Sequence, residues 1–169
     1  MELDRNLAAP RPGPRMEFLT VKHVQVEHYL CVSSRIWAHF VHWTGQHTLP
    51  CTLKVGVDGQ VTQKCVHCDA QRPKRWKGYL HVVPLRTREH CFLCLSENAG
   101  FFLQSAAGEN YDLRGLQLDV RRKGKRAQSE LIVEVNANMP RKKLDCEEID
   151  PMPYLATVFR QRKPLTDSL

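Results

Sequence analysis

The sequence predicts a mainly β fold, and three observations support this. Short stretches of alternating apolar and polar residues recur along the chain, as expected of half-buried strands. One helix signal interrupts them, a start at Ser96-Glu97-Asn98 that leads to a stop at Gly108. A hairpin follows, because the sequence alternates on both sides of the turn at Lys123-Gly124-Lys125. This order favours an OB-fold-like antiparallel β-barrel, which has five strands and is partly open.

The strands before the helix are predicted from the same alternation. A small hairpin is also expected inside the polar segment 45–74, because Asp58-Gly59 is a hairpin turn signal between valines. The predicted main strands are a long, imperfect one from Phe18 to Val32, then Trp37 to Trp43, Tyr79 to Leu85, and Cys91 to Leu95.

The chain has the length of one domain with tails. Residues 1–16 contain three prolines and predict a disordered arm, and residues 17–140 hold the β domain. Residues 141–169 predict a tail with a short helix from Pro153. Its apolar stripe fits a helix that caps the barrel, which we favour, or one that docks a protein partner.

Composition indicates where the protein works. No apolar run approaches the about 20 residues of a membrane span, and no secretory signal is visible, so we expect no membrane association. The cysteine count is seven, an odd number, and two CxxC pairs indicate metal binding or packing. A disulfide framework is therefore not expected, and the prediction is a reducing, cytoplasmic compartment.

Three cysteines predict a structural zinc site. Cys65 and Cys68 form a CxxC turn, and Cys51 ends the apolar segment before it. A closed tetrahedral site needs four ligands, and a nearby histidine is the natural fourth. His42 is the first choice, ahead of His39 and His47.

A second arrangement of ligands is also open. Cys91 and Cys94 form another CxxC, and the four cysteines of the two pairs have nearly the spacing of a zinc ribbon. Cys91 and Cys94 lie in an apolar run, however, and residues three apart on a strand point to opposite faces. A third interpretation is that all these cysteines are buried thiols.

The net charge of +7 favours an anionic partner, most often nucleic acid. Single strands are held by cationic grooves and by aromatic side chains that stack on bases. The sequence interleaves basic and aromatic residues just after the Cys65–Cys68 pair. A second basic cluster lies in the later hairpin around Lys123-Gly124-Lys125. The candidate nucleic-acid-binding residues are Arg72, Lys74, Arg75, Trp76, Lys77 and Tyr79, then Trp37, Phe40 and Trp43, then Arg121, Arg122, Lys123, Lys125 and Arg126.

The combination of HFVHW, TLPC with Cys51, the Cys65–Cys68 pair, RWKGYL and LRGLQLDVRRKGK resembles a known family. It is similar to the zinc-containing single-stranded-DNA-binding proteins of T-even phages and their phage and plasmid relatives. The resemblance implies an OB-fold with a zinc site of three cysteines and one histidine, which binds single strands without catalysis. The acidic tail that recruits partners in the T-even proteins has no counterpart here, since this chain ends in mildly basic sequence.

The prediction is therefore a non-catalytic binder of single-stranded DNA, with RNA as the alternative ligand. Two other classes compete with it. One is a zinc-ribbon adaptor that uses the C-terminal helix to bind a protein. The other is a metal-dependent nuclease, which is disfavoured because the sequence has no HExxH, Walker or paired-carboxylate motif.

Overall fold

The computed structural model describes residues 16–21, 24–126 and 129–161. The arm predicted for residues 1–16 falls almost wholly outside these ranges, as does the end of the predicted tail. The chain forms two compact units. We call residues 1–37 and 78–151 the sheet unit, and residues 38–77 and 152–169 the loop unit.

The described residues form ten strands and three helices. In chain order they are β1 (Glu17–Leu19), β2 (Glu27–Cys31), β3 (Trp37–Trp43), β4 (Thr48–Pro50), β5 (Lys54–Val55), β6 (Val61–Gln63), α1 (Val66–Asp69), β7 (Lys74–Pro84), β8 (Cys91–Leu95), α2 (Glu97–Ala106), β9 (Gln117–Arg122), β10 (Leu131–Val135) and α3 (Met152–Gln161).

The sheet unit is built on the strand order β1-β8-β7-β2-β9-β10. The pairing of β1 with β8 is parallel, and the other pairings along this path are antiparallel, so the sheet is mixed. The prediction of a mainly β fold is confirmed. The OB-fold itself is not, because no pairing among the described strands closes this path into a barrel.

The core of the sheet unit centres on β7. Residues Tyr79 to Val83 are all buried, as expected of a central strand that is covered on both faces. Leu30 of β2, Leu93 of β8 and Leu118 of β9 are almost completely buried beside it. β7 begins at Lys74 and not at Tyr79, because its first four residues form an exposed to half-buried basic run without apolar alternation.

Helix α2 lies where the sequence predicts it. The Ser96 hydroxyl accepts a hydrogen bond from the Ala99 N–H at 3.4 Å, and Gly108 follows the helix with φ of +78°. The inner face consists of Ala99, Gly100 and Leu103. Phe101 and Phe102, although apolar, are exposed.

The sheet unit continues past residue 140 because residues 141–151 pack on it. Cys146 joins the core cluster of Leu30, Val32 and Val83. The Glu148 carboxylate accepts hydrogen bonds from the backbone and hydroxyl of Ser34 and from the Trp37 indole N–H, at 2.7–3.1 Å. This part of the predicted tail therefore belongs to the folded unit.

The loop unit contains little regular structure. Strand β3 pairs with β4 and with β7, whose first residues, 74–77, belong to this unit. The predicted small hairpin is present as β5 and β6. Among the described residues, the buried apolar ones of the loop unit are Val41, Cys65 and Leu155. Such a small core points to another source of stability.

No helix in the described part of the chain is long and apolar enough to cross a membrane.

Candidate metal centre and basic surface

Four side chains of the loop unit converge on one point. The potential ligand atoms of His42, Cys51, Cys65 and Cys68 all lie within 4.8 Å of one another. The His42 Nε2 is 3.4 Å from the Cys68 sulfur and 3.7 Å from the Cys65 sulfur, and the Cys51 and Cys68 sulfurs are 3.6 Å apart. Sulfurs bound at about 2.3 Å to one zinc occupy tetrahedron corners about 3.8 Å apart. The four residues are therefore close enough to hold a metal ion.

Cys65 and Cys68 face the same point because they flank a single helical turn. Cys65 is the N-cap of α1, and its carbonyl accepts the Asp69 N–H at 3.0 Å. Residues three apart on a helix lie on the same side, whereas residues three apart on a strand do not. The turn ends at Gln71, whose φ of +55° lies in the left-handed region.

His42 reaches the site from β3, where its side chain is completely buried. Its Nδ1 lies 3.0 Å from the Arg72 carbonyl oxygen. A carbonyl only accepts, so this contact assigns the proton to Nδ1 and leaves the Nε2 lone pair facing the cysteines. Metal-binding histidines are commonly oriented by such a bond.

Cys51 is placed by the edge of the same strand pair. It follows β4, and its backbone N–H donates to the Phe40 carbonyl at 2.8 Å, which extends the β3–β4 ladder by one bond. The Cys51 and Cys68 sulfurs are 3.6 Å apart, far beyond the about 2.05 Å of a disulfide bond. The site therefore presents separate thiols.

The electrostatics of the cluster favour a bound cation. Burial disfavours the Cys65 thiolate, but hydrogen bonds from Thr52 and from the backbone of Cys68 and His67 outweigh it and lower the Cys65 pKa to about 5. Burial and the neighbouring Cys51 and Cys65 sulfurs raise the pKa of Cys68 to about 11. Thiolates this close repel one another, and a divalent cation between them removes that repulsion.

The alternative ligands lie elsewhere. His39 is on the opposite face of β3 from His42, with its ring centroid 5.7 Å from that of Phe159. His47 belongs to the turn after β3, where its carbonyl accepts the Thr44 N–H at 3.0 Å. Cys91 and Cys94 lie on β8, paired with Val82 and Tyr79. Among the described residues, the group that could hold a metal includes none of these four.

The basic and aromatic run after Cys68 is only partly available to a ligand. Arg72, Lys74 and Arg75 are exposed, whereas Trp76 and Lys77 are half-buried. Tyr79 is buried, with its ring edge-on to Phe18 at 5.5 Å between centroids, so it offers no exposed ring for stacking. It is buried because β7 enters the core at Gly78.

For all the side chains of this run to reach one nucleic-acid strand, a bulge near Gly78 would have to re-aim them. The pairing of β7 with β8 is instead regular from Gly78 to Val82. In a regular strand, Arg75 and Lys77 point to the face opposite Trp76. These three side chains therefore do not converge on one nucleic-acid strand in the way the sequence suggested.

The aromatic residues of β3 differ from one another. Phe40 and Trp43 are each 49% exposed, and the Lys74 ammonium lies 5.8 Å from the centroid of the Phe40 ring. Trp37 belongs to the sheet unit and is already engaged. Its indole donates to Glu148, and the Arg35 guanidinium lies 4.2 Å from its ring centroid. Trp37 is therefore a structural residue.

The basic cluster of the β9–β10 hairpin is likewise divided. Arg122 donates to the carbonyls of Val21 and Ser129 at 2.7 and 2.6 Å, so it is a structural residue. Lys123 forms an ion pair with Glu130 at 3.3 Å. Lys125 and Arg126 are exposed, and Arg121 is half-buried. The cluster thus offers fewer cations than its sequence indicates.

Charge is distributed unequally between the units. Residues 38–77 contain six lysines and arginines but only two acidic residues, Asp58 and Asp69. The sheet unit has nearly as many acidic as basic residues, 15 against 16, so it is close to neutral.

Sequence reasoning missed Lys54 and Lys64, which lie at the open end of the small hairpin. It also missed the Arg72 carbonyl beside His42, because a backbone contact leaves no pattern in side-chain chemistry.

Comparisons with protein-family models, with curated proteins and with solved structures found no match for this chain.

Proposed function

We propose that this protein holds a structural zinc ion and binds single-stranded nucleic acid, DNA in the first place, without catalysis. The loop unit carries both activities. The observation that carries the proposal is the exposed aromatic ring of Phe40, which lies on the β3 face that also supplies His42 and has the Lys74 ammonium 5.8 Å from its centroid.

Zinc is the metal that the ligand set favours. Three thiolates and one imidazole are soft and borderline ligands, which select zinc over magnesium or calcium. Four protein ligands fill a tetrahedral shell and leave no position for a catalytic water, as in structural zinc sites. Cys51, Cys65, Cys68 and the His42 Nε2 would bind the ion, and the Arg72 carbonyl would orient His42.

The surface beside this site has the chemistry that single strands require. A base gains about 1–3 kcal/mol by stacking on an aromatic side chain, whatever its sequence. Phe40 and Trp43 expose such surfaces, and Arg72, Lys74 and Arg75 are exposed cations of the same unit. The excess of positive charge in residues 38–77 would attract the phosphate backbone.

The proposal agrees with the resemblance to the zinc-containing single-stranded-DNA-binding proteins in its ligand set of three cysteines and one histidine. An OB-fold-like barrel remains part of that resemblance. Binding as proposed here depends on the β3 surface and the zinc loop, and it requires no closed barrel.

Helix α3 bears on the choice between a nucleic-acid binder and an adaptor. Leu155 is buried, and the ring of Phe159 lies against His39. These contacts occupy the apolar stripe that an adaptor helix would offer. They favour a helix packed within the loop unit over a free docking helix, so a protein partner at α3 is the weaker proposal.

One purified sample tests the function. Metal content should be one zinc per chain, and titration with oligo-dT should quench tryptophan fluorescence, since Trp43 is exposed. High salt should reverse the quenching, because binding displaces counterions. Cleavage of the oligonucleotide would indicate a nuclease. A zinc-loaded protein that leaves oligo-dT unbound at low salt would rule out the proposal.

A further inference from the structure

The segment between two zinc ligands forms a hairpin that presents apolar side chains to solvent. We call residues 52–64, between Cys51 and Cys65, the zinc hairpin. Val55 and Val61 are directly paired across it and are 56% and 54% exposed. Val57 at its tip is fully exposed. The hairpin thus carries three exposed valines, one on each strand and one at its tip.

The zinc hairpin has a defined shape in spite of its small size. The Gly56 N–H donates to the Gln60 carbonyl at 2.8 Å, and the Asp58 carboxylate accepts the Gln60 N–H at 3.0 Å. Gly59 has φ of +80°, which its lack of a Cβ allows. At the open end, the Thr52 hydroxyl donates to the Lys64 carbonyl at 3.3 Å. An isolated two-stranded hairpin is marginal in water, so the ligands at its two ends would hold it.

The base of the zinc hairpin adjoins the proposed binding surface. Cys51 precedes the hairpin, and its N–H donates to the carbonyl of Phe40, one of the two exposed aromatic residues. Lys54 and Lys64 add cations near this base. A base stacked on Phe40 would therefore lie close to where the hairpin begins.

We propose that the zinc hairpin recognises the junction between single-stranded and double-stranded nucleic acid. Val57, with Val55 and Val61 behind it, would contact the apolar face of the last base pair, while the emerging single strand passes onto Phe40. The inference rests on the proposed single-strand binding and adds a substrate to it, a duplex with a single-stranded tail.

Charge and shape select this partner over other apolar surfaces. The last base pair of a duplex exposes a flat apolar face surrounded by phosphates, and apolar side chains insert at base steps in many complexes. The hairpin combines its exposed valines with Lys54 and Lys64. It lies within residues 38–77, which contain six basic and two acidic residues. An apolar tip with a cationic base matches such an end in both respects.

The test compares three fluorescently labelled probes at the same salt concentration: oligo-dT, a duplex with a dT tail of that length, and the blunt duplex. The zinc-loaded wild type should bind the tailed duplex about tenfold more tightly than oligo-dT, which is a modest gain for burying a valine. The double variant Val55→Ser, Val57→Ser should lose this preference and keep its affinity for oligo-dT.

Val26→Ser is the matched control, because Val26 is an exposed valine of the sheet unit. It should keep the preference for the tailed duplex. Zinc content, measured for every variant, shows that the hairpin ends are still held. Since the substituted valines are exposed, all variants should retain one zinc per chain.

Two results would overturn the inference. Equal wild-type affinity for oligo-dT and the tailed duplex would remove junction recognition and leave the proposed single-strand binding intact. Sedimentation with phosphatidylglycerol vesicles that depends on Val55 and Val57, without a preference for tailed duplex, would assign the tip to a lipid surface. Failure to bind any of the three probes would reject the proposed function itself.

Discussion

The two units of this chain are stabilised in different ways. Among the described residues, all but three of the buried apolar side chains belong to the sheet unit, and its charges nearly cancel. The loop unit contributes only Val41, Cys65 and Leu155 to that set, and it carries most of the net positive charge. One unit has a core and little charge, whereas the other has charge and little core.

The difference shows why the cysteines lie where they do. A small segment without enough apolar surface needs a disulfide or a metal to fold, and a cluster of like charges increases that need. Four side chains within residues 42–68 lie close enough to hold such a metal. The exposed positions of the loop unit are then available for binding, because few of them are needed for a core.

The largest expected effect is that of metal removal on the loop unit alone. Chelation, or Cys65→Ser, should abolish protection from hydrogen exchange in residues 38–77 and leave β7 to β10 of the sheet unit protected. The free energy of structural zinc binding, about 10–16 kcal/mol in zinc-finger peptides, is the reason. Mass spectrometry of exchanged peptides measures both units in one sample.

Cys94→Ser is the control for this experiment, because Cys94 lies on β8 and outside the ligand group. It should retain one zinc per chain. Loss of zinc from Cys94→Ser with retention in Cys51→Ser would restore the zinc-ribbon arrangement and contradict the comparison.

The second prediction concerns the core of the sheet unit. Tyr79→Ala should lower the free energy of unfolding by about 3–5 kcal/mol, as for other large aromatic side chains removed from a core. The zinc content should not change. Urea denaturation and metal analysis test this, with Tyr79→Phe as the conservative control that keeps the ring against Phe18. A Tyr79→Ala protein of normal stability and reduced DNA affinity would return Tyr79 to the binding surface.

The third prediction concerns stacking in the loop unit. Phe40→Ala should weaken binding to oligo-dT by about 1–3 kcal/mol and leave stability and the salt dependence of binding nearly unchanged. Fluorescence anisotropy over a salt series measures both quantities. Phe101→Ala is a matched control, since Phe101 is an exposed phenylalanine of the sheet unit. Equal losses for the two variants would show that exposure alone, and not the β3 surface, determines binding.

The fourth prediction concerns acid and the sheet unit. Burial, then the positive charges of His90 and Arg114, lower the His81 pKa from 6.5 to about 3. Protonation therefore favours the unfolded chain, so His81 costs no stability above pH 6.5 and destabilises the fold increasingly as pH falls towards 3. The slope should approach about 1.4 kcal/mol per pH unit. Urea midpoints between pH 7 and pH 5 should fall less steeply for His81→Gln than for wild type, and parallel curves would refute the assignment.

The smallest expected effect separates the two basic surfaces. Lys74→Gln should reduce the slope of log affinity against log salt by about one counterion. Lys125→Gln, an equal change of charge in the sheet unit, should alter the slope less, because acidic residues such as Glu130 lie nearby in that hairpin. A larger effect at Lys125 would move the binding face to the β9–β10 hairpin.

Local signals allowed the sequence to predict much of this molecule. The alternation of β3, the Ser96 cap and Gly108 stop of α2, and the Asp58-Gly59 turn each depend on neighbouring residues. The choice of His42 over His39 was also correct, in that His42 lies close to the three cysteines. The two histidines are on opposite faces of β3, so only one of them can face the cysteines.

Long-range contacts account for what the sequence did not predict. Glu148 bonds to Ser34, 114 residues away, and removes Trp37 from the set of available aromatic residues. Arg122 looks like any other member of a basic cluster until the carbonyls of Val21 and Ser129 are beside it. Tyr79 was grouped with the basic run because it follows Lys77 by two residues, whereas burial in β7 already begins at Gly78.

The contact between Ser34 and Glu148 has a consequence for synthesis of the protein. A chain leaves the ribosome from its N-terminus, so His42 and the three cysteine ligands emerge long before Glu148 does. The sheet unit cannot be completed until residue 148 has emerged, whereas the candidate metal site needs the chain only as far as residue 72. Zinc should thus bind to the nascent chain, and the supply of zinc during translation would determine the order in which the two units fold.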